Sequence, residues 1–234
     1  MSLKAMVFID GGWLYRSRVA LFQRLREENG FEIDYAKLPK VLCEDVANYL
    51  DEDISLVRTN YFGTIPSARS GYNTNKQYSF YDFLEVNCNY ETEIHEVDVG
   101  GASDVRSDDL RTKVALASAL LFFAAQPGAY DVALVIGDDP DLAPALRRVR
   151  LMGKRVQIIG IRPSDTTRPQ SSIFGKSRVT DFPPIYLDDH AADIRLVREH
   201  RLRICKQCGH EEETTWAGPD FFCSHCRGKY RHIK

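Results

Sequence analysis

Short apolar runs alternate along most of the chain with longer stretches of helical periodicity. Runs typical of buried strands cover about 5–9, 54–65, 93–99, 132–136, 155–161 and 185–187. Between them, apolar positions three and four apart predict helices over about 11–28, 34–50, 76–86 and 110–125, and another after 143. Strands that alternate with helices pair in parallel and are covered on both faces. We therefore predict an α/β fold, a three-layer α/β/α sandwich with a mostly parallel sheet.

Acidic residues gather directly after several of these strands and at the start of one helix. They are Asp10, Asp108, Asp109, Asp138, Asp139 and Asp141. The carboxyl ends of parallel strands meet at one edge of a sheet, where open α/β proteins bind ligands. Carboxylate oxygens are the ligands that Mg²⁺ and Mn²⁺ prefer, so this edge is predicted to hold a divalent ion. The alternative is that these acids cap helices and are solvated.

The implied chemistry is phosphoryl transfer to water, which a divalent ion can activate and position. The sequence contains no G-x4-G-K-[ST] phosphate loop, and Gly11 and Gly12 lack a third glycine in the register of a dinucleotide fingerprint. No serine or cysteine nucleophile stands out beside a histidine. Metal-assisted hydrolysis requires none of these motifs.

Four of the six cysteines form two C-x2-C pairs that are separated by fourteen residues. They are Cys205, Cys208, Cys223 and Cys226. Two such knuckles predict a tetrahedral structural Zn²⁺ site in a zinc ribbon. Two disulfides are the alternative, which the absence of a secretion-signal pattern disfavours. His210 and His225 adjoin the predicted ligands, but four thiolates already complete the coordination shell.

Charge is distributed unevenly although the net charge is only −2. Residues 195–234 contain nine Lys and Arg against five Asp and Glu, so the remainder of the chain is acidic. This asymmetry predicts an acidic site in a domain over 1–190, a linker over 191–203 and a basic docking module over 204–234. No apolar run approaches the 18 residues of a membrane span, and we expect a cytoplasmic protein without a membrane partner.

Basic residues in two regions are predicted to contact nucleic-acid phosphates. One region is the polar segment 162–180, and the other is the ribbon, where aromatic residues lie among the cations. The predicted contacts are Arg162, Arg168, Lys176, Arg178, Arg227, Lys229, Tyr230 and Arg231. A solvated connection in the first region and a small aromatic core in the second are the alternatives.

Two segments resemble the NYN domain family, a branch of the PIN-like nuclease fold. They are VFIDGG at 7–12 and YDVALVIGDDPDLAP at 130–144, with GKRV following at 153–156. The resemblance covers about 5–188 and implies a ribonuclease that depends on Mg²⁺ or Mn²⁺. By this resemblance Asp10 matches the first acid, and Asp138 and Asp141 match the acids of the GD-x-D motif.

The chain departs from the family's pattern at three places. Trp13 stands three residues after Asp10, where family members often carry Asn, and Asp139 is an additional acid within GD-x-D. The family usually has an Asp before or in the middle helix and another six residues later. The alignments that fit pair Asp109 with Ala115, or Thr112 with Ser118.

We interpret the chain as a metal-dependent endoribonuclease whose zinc ribbon docks RNA. On this interpretation Asp10, Asp109 and Asp138 bind the catalytic ion, and Asp139 and Asp141 support it. The rival is an NYN-fold RNA-binding or regulatory protein with little or no turnover, whose ribbon recruits RNA or a protein partner. A phosphatase for small phosphate esters is a third interpretation, and a homodimer formed through apolar helix faces remains open.

Overall fold

The structure is a computed structural model that describes residues 2–25, 31–67, 69, 71–98, 105–162, 179–197, 201–215 and 220–230. For 19, 20, 22–25, 105–109 and 228–230 it describes the backbone alone. The chain forms two compact units, Met1–Arg195 and Leu196–Lys234.

Strands and helices alternate through the first unit, as the apolar pattern predicts. The strands are β1 (Leu3–Asp10), β2 (Ile54–Pro66), β3 (Tyr90–Val97), β4 (Val132–Ile136), β5 (Arg155–Gly160) and β6 (Ile185–Tyr186). The helices are α1 (Gly11–Leu25), α2 (Leu38–Leu50), α3 (Asn75–Cys88), α4 (Val105–Ala125) and α5 (Ala143–Leu151). A 3₁₀ turn, Pro140–Leu142, joins β4 to α5.

The six strands form one sheet in the order β3-β2-β1-β4-β5-β6, and every described pairing is parallel. From β1 the chain builds outward to β2 and β3, and it then returns to β4 on the other side of β1. The strand order therefore reverses between β1 and β4. In open sheets of this type, ligands bind in the crevice beyond the carboxyl ends of the two strands at such a reversal.

Alternate residues of β1 divide the core into two apolar layers. Ala5, Val7 and Ile9 lie in the layer with buried side chains of α1, α2 and α3, and Met6 and Phe8 lie in the layer with those of α4 and α5. All five are buried, which requires helices on both faces of the sheet. The predicted α/β/α sandwich is confirmed.

Helix α2 illustrates how the local sequence produces these elements. Leu38, Leu42 and Val46 lie at helical spacing and are buried against the sheet. The Asp34 carboxylate accepts the N–H groups of the turn that leads into the helix, at 3.1 and 3.2 Å. Asp51 ends the helix in the left-handed conformation, with φ at 53°.

Strand β3 begins three residues earlier than the apolar pattern predicts. Tyr90 is its first residue, is buried and donates its hydroxyl to the Tyr35 carbonyl at 2.7 Å. Tyr90 also pairs with Thr59 of β2, and this pairing with a strand that is distant in sequence extends β3 toward its amino end. Local periodicity carries no information about such a contact.

Helix α4 leaves an apolar stripe exposed beside β3. Leu110, Val114 and Phe122 are each more than half exposed and border a groove of about 680 Å³. The predicted homodimer stays a prediction. No helix among the described residues is both long enough and apolar enough to cross a membrane.

The second unit contains an antiparallel hairpin and a short helix. The hairpin pairs β7 (Arg201–Ile204) with β8 (Glu211–Thr214), and the helix is α6 (Ser224–Tyr230). Strand β7 thus lies at the end of the 191–203 segment that we predict as a linker. Among the side chains of this unit that the structure describes, Cys205, Phe221, Cys223 and Cys226 are buried.

Candidate functional site

Asp10 is the last residue of β1, and its side chain is completely buried. The backbone N–H of Trp13 donates to Asp10 Oδ1 at 2.8 Å. The indole of Trp13 is half-buried and packs against the core layer beneath α1 to α3. Trp13 therefore orients the Asp10 carboxylate through its backbone amide.

Gly11 follows Asp10 at a point where the backbone comes very close to Tyr61. A Cβ atom placed on Gly11 would lie 2.3 Å from Cζ of the Tyr61 ring, so any larger residue would require that ring to shift. Burial, together with the charges of Tyr35, Tyr81 and Asp10, raises the pKa of Tyr61 well above 10. Tyr61 is therefore a neutral phenol directly behind the candidate site.

Strand β4 delivers the second acidic segment to the same edge of the sheet. Ile9 pairs with Ile136, so the residues that follow these two strands are neighbours. Gly137 has φ at +155°, and a Cβ atom placed there would lie 3.3 Å from Asp10 Cβ. Asp138 comes next and is half-buried. The structure thus places Asp10 beside Gly137, the residue before Asp138, where the strand order reverses.

Asp139 and Asp141 share a cation that the sequence does not point to. Lys113 of α4 places its Nζ 2.6 Å from Asp139 Oδ2 and 3.4 Å from Asp141 Oδ2. Asp139 Oδ1 also accepts the backbone N–H of Asp141 at 2.8 Å, which caps the 3₁₀ turn. Both oxygens of Asp139 are therefore engaged within the protein.

Asp109, the acid predicted to lie in the middle helix, is on the first turns of α4. Its side chain lies outside the described residues. Of the other aligned positions, Thr112 and Ala115 are buried and Ser118 is exposed at the groove beside β3. Among the side chains that the structure describes, no group of three or more carboxylates lies within mutual ligand distance.

The structure describes two of the predicted phosphate contacts with their side chains. Arg162 forms a two-pronged ion pair with Asp189, through Nη1 and through Nη2 at 2.7 Å. Arg227 lies 3.8 Å from Glu212 and over the ring of Phe221. Predicted contacts outside the described residues or side chains are Arg168, Lys176, Arg178, Lys229, Tyr230 and Arg231.

Helix α5 presents two cations that sequence reasoning missed. Arg147 and Arg148 are exposed one turn after the helix begins, and neither makes an ion pair within the described part of the chain. Arg150, in contrast, is held by Asp181 through two nitrogens. The burial of every third or fourth residue of this short helix is the signal that could have identified the outward pair.

The four predicted ligand cysteines form the one group of three or more potential ligands in the described residues whose donor atoms converge. Their Sγ atoms all lie within 4.8 Å of one another, and Cys208 Sγ is 3.6 Å from Cys223 Sγ. Backbone N–H groups, that of Cys223 foremost, lower the pKa of Cys205 to about 6. Four converging sulfurs, one of them favoured as a thiolate, fit a tetrahedral metal ion.

The first knuckle takes its shape from backbone hydrogen bonds. The N–H of Cys205 donates to the His210 carbonyl at 2.8 Å, and the N–H of Gly209 donates to the Cys205 carbonyl at 2.9 Å. Gly209 has φ at +73°, a conformation that favours glycine. On the second knuckle, Glu212 of β8 accepts both the N–H and the hydroxyl of Ser224 at 3.0 Å. These contacts lower the Glu212 pKa and connect the hairpin to α6.

Comparison with known proteins identifies the family of the first unit. The sequence profile of the NYN domain matches residues 4–180. A solved structure with similar architecture is a protein of unknown function, VPA0982, from Vibrio parahaemolyticus RIMD 2210633. It has a TM-score of 0.50 and 14% identity, over 83% of this chain and 97% of that chain. This likeness shows the fold alone, and no curated protein matches the chain.

Proposed function

Because the chain belongs to the NYN domain family, whose members are typically nucleases, we propose that it is a metal-dependent endoribonuclease. In this reaction the oxygen of water bonds to phosphorus, the bond to the leaving ribose oxygen breaks, and a proton from the water ends on that oxygen. The observation that carries the proposal is the juxtaposition of Asp10 with Gly137 and Asp138 at the reversal of strand order.

Asp10 and Asp138 would hold the divalent ion. Their donor atoms are carboxylate oxygens, which suit Mg²⁺ and Mn²⁺. The N–H of Trp13 already orients Asp10, so little ordering is required when an ion binds. The bound ion would supply Lewis acidity that neutralises the phosphate and lowers the pKa of a water molecule. Asp109, Asp139 and Asp141 are proposed to support this pair of ligands.

The strand-end edge is proposed to bind RNA, and the ribbon is proposed to dock RNA as a separate unit. Arg147 and Arg148 are exposed and follow Asp141 closely along the chain. At the rise of an α-helix, they lie about 10 Å from Asp141 along the helix axis. Exposed arginines that lack carboxylate partners are suited to phosphate oxygens. The four cysteines are proposed to hold Zn²⁺, which would fold the ribbon and present its basic residues to the nucleic acid.

Cleavage of single-stranded RNA in Mn²⁺ or Mg²⁺ tests the proposal. We expect Asp10→Asn and Asp138→Asn each to reduce the rate by about 100-fold or more, because each removes a charge on which ion binding depends. Asp53→Asn is the matched control, since Asp53 is an exposed acid just before β2, at the opposite end of the strands. An unchanged rate in Asp10→Asn would contradict the proposal.

The rival function is RNA binding with little or no turnover. The observation that favours it is Lys113, whose ammonium neutralises part of the charge on Asp139 and Asp141. RNA affinity without cleavage in either metal ion would support this rival. Hydrolysis of small phosphate esters that RNA does not inhibit would instead support a phosphatase.

A further inference from the structure

Lys113 lies at the acidic edge of the sheet, and its side chain is largely buried. Only 14% of its side chain is exposed, and Asp139, its nearer partner, is 16% exposed. The helix that carries it packs against the 3₁₀ turn Pro140–Leu142, and Leu142 is buried in the same apolar layer as Leu116 of α4. The ammonium is therefore held by packing on both sides of the ion pair.

This contact engages the carboxylates of Asp139 and Asp141 within the protein. Asp139 uses Oδ1 for the N–H of Asp141 and Oδ2 for Lys113, so a divalent ion bound to Asp139 would have to share either oxygen with a donor that is already present. Asp141 is 72% exposed but lies within 3.4 Å of the same ammonium. A second cation placed beside these two carboxylates would be repelled by the first.

We propose that Lys113 is a resident cation whose ammonium takes the place of a second divalent ion at Asp139 and Asp141. The chain then binds one exchangeable divalent ion, at Asp10 and Asp138. The part of this inference that concerns Asp10 and Asp138 rests on the proposed function. The part that concerns Lys113 rests on its own contacts and can be tested separately.

The number of Mn²⁺ ions bound by the zinc-saturated full chain tests the proposal. Electron paramagnetic resonance of free Mn²⁺ gives this number during a titration. We expect one ion for the parent protein and two for Lys113→Met, which keeps the length of the side chain and removes its charge. Lys113→Arg is the matched control and should still bind one ion, because it retains the cation.

Two further variants separate this inference from the proposed function. In Asp10→Asn the ion of the parent should be lost, and Lys113→Met should still add one ion in that background. That added ion should disappear when Asp139→Asn is also introduced. An added ion in the Asp10→Asn background supports the resident cation even if the parent binds none, an outcome that would contradict the proposed function.

The inference is overturned if the parent protein binds two Mn²⁺ ions, or if a folded Lys113→Met adds none. Circular dichroism of each variant verifies that it is folded before its ions are counted. If Lys113→Met does not fold, Lys113→Gln, which also removes the charge, is counted in its place, and the same two outcomes decide the matter.

Discussion

Gly11 is the position at which a single methyl group should disturb the candidate site most. An ideal Cβ atom there would lie 2.3 Å from Tyr61 Cζ, about 1.2 Å closer than an ordinary carbon contact of about 3.5 Å. Tyr61 has little room to move, because it is only 5% exposed. Its ring lies 5.9 to 6.4 Å, between centroids, from those of Tyr35, Phe80 and Tyr81.

Two effects of Gly11→Ala on the free energy of unfolding oppose each other. Alanine is favoured over glycine by at most about 1 kcal/mol in a helix, and by less at the first residue of α1. Forcing a methyl group against a packed ring is overpacking, which typically costs about 1–3 kcal/mol. The second effect should prevail, with a net loss of about 1–2 kcal/mol. If the proposed function is correct, the rate of RNA cleavage should fall as well, because Asp10 is the adjacent residue.

Urea unfolding measures this loss as a lower midpoint at an unchanged slope. Tyr61→Val supplies the control, because it removes the ring that the methyl group meets. In that background Gly11→Ala should cost little or become stabilising, which corresponds to a coupling energy of about 1–3 kcal/mol in a double-mutant cycle. An equal cost in both backgrounds, or a Gly11→Ala variant as stable as the parent, would refute the reasoning.

Two other predictions concern the metal and the nucleic acid. Mass spectrometry of the native protein should show one equivalent of zinc. Cys223→Ser should lose this zinc, because three sulfurs leave the tetrahedral shell incomplete. The control Cys43→Ser should retain it, since Cys43 lies outside the cluster. Equal zinc contents would contradict the four-cysteine site. Replacing Arg147 and Arg148 by Ala should weaken RNA binding and reduce the slope of log affinity against log salt by about 1.4 for single-stranded RNA. An unchanged slope would show that neither residue contacts phosphate, and Arg58→Ala, on β2, is the control for nonspecific charge loss.

The fold could be predicted from the sequence because the central strands have an unusually clear signal. The residues of β1 from Ala5 onward and all of β4 are buried, so their apolar runs are continuous and not alternating. Each run ends directly in glycine and aspartate, and this pattern alone identifies Asp10 and Asp138 as candidate site residues. The reversal of strand order between β1 and β4 then explains why these two acids become neighbours.

The ion pairs within the site could not be predicted, because they depend on the register of distant elements. Lys113 precedes Asp139 by a helix, a turn and a strand, and nothing in the local pattern of α4 indicates that it faces that loop. Arg162, unlike Lys113, was singled out from the sequence. Its position in a polar segment indicated a phosphate contact, yet the fold places it against Asp189 and over the ring of Tyr186.

The two functions considered for this chain share one backbone and differ in how the negative charge of one edge is offset. Four carboxylates lie at the ends of β1 and β4, and gathering them there is unfavourable unless cations or N–H groups compensate. The protein itself compensates at Asp139 and Asp141, through Lys113 and the backbone. Both functions are compatible with the same fold, so the fold cannot distinguish between them. The distinction rests on what an ion bound at Asp10 does. Cleavage that increases with ion occupancy there indicates an enzyme, whereas occupancy without cleavage indicates a protein that uses the edge to bind RNA.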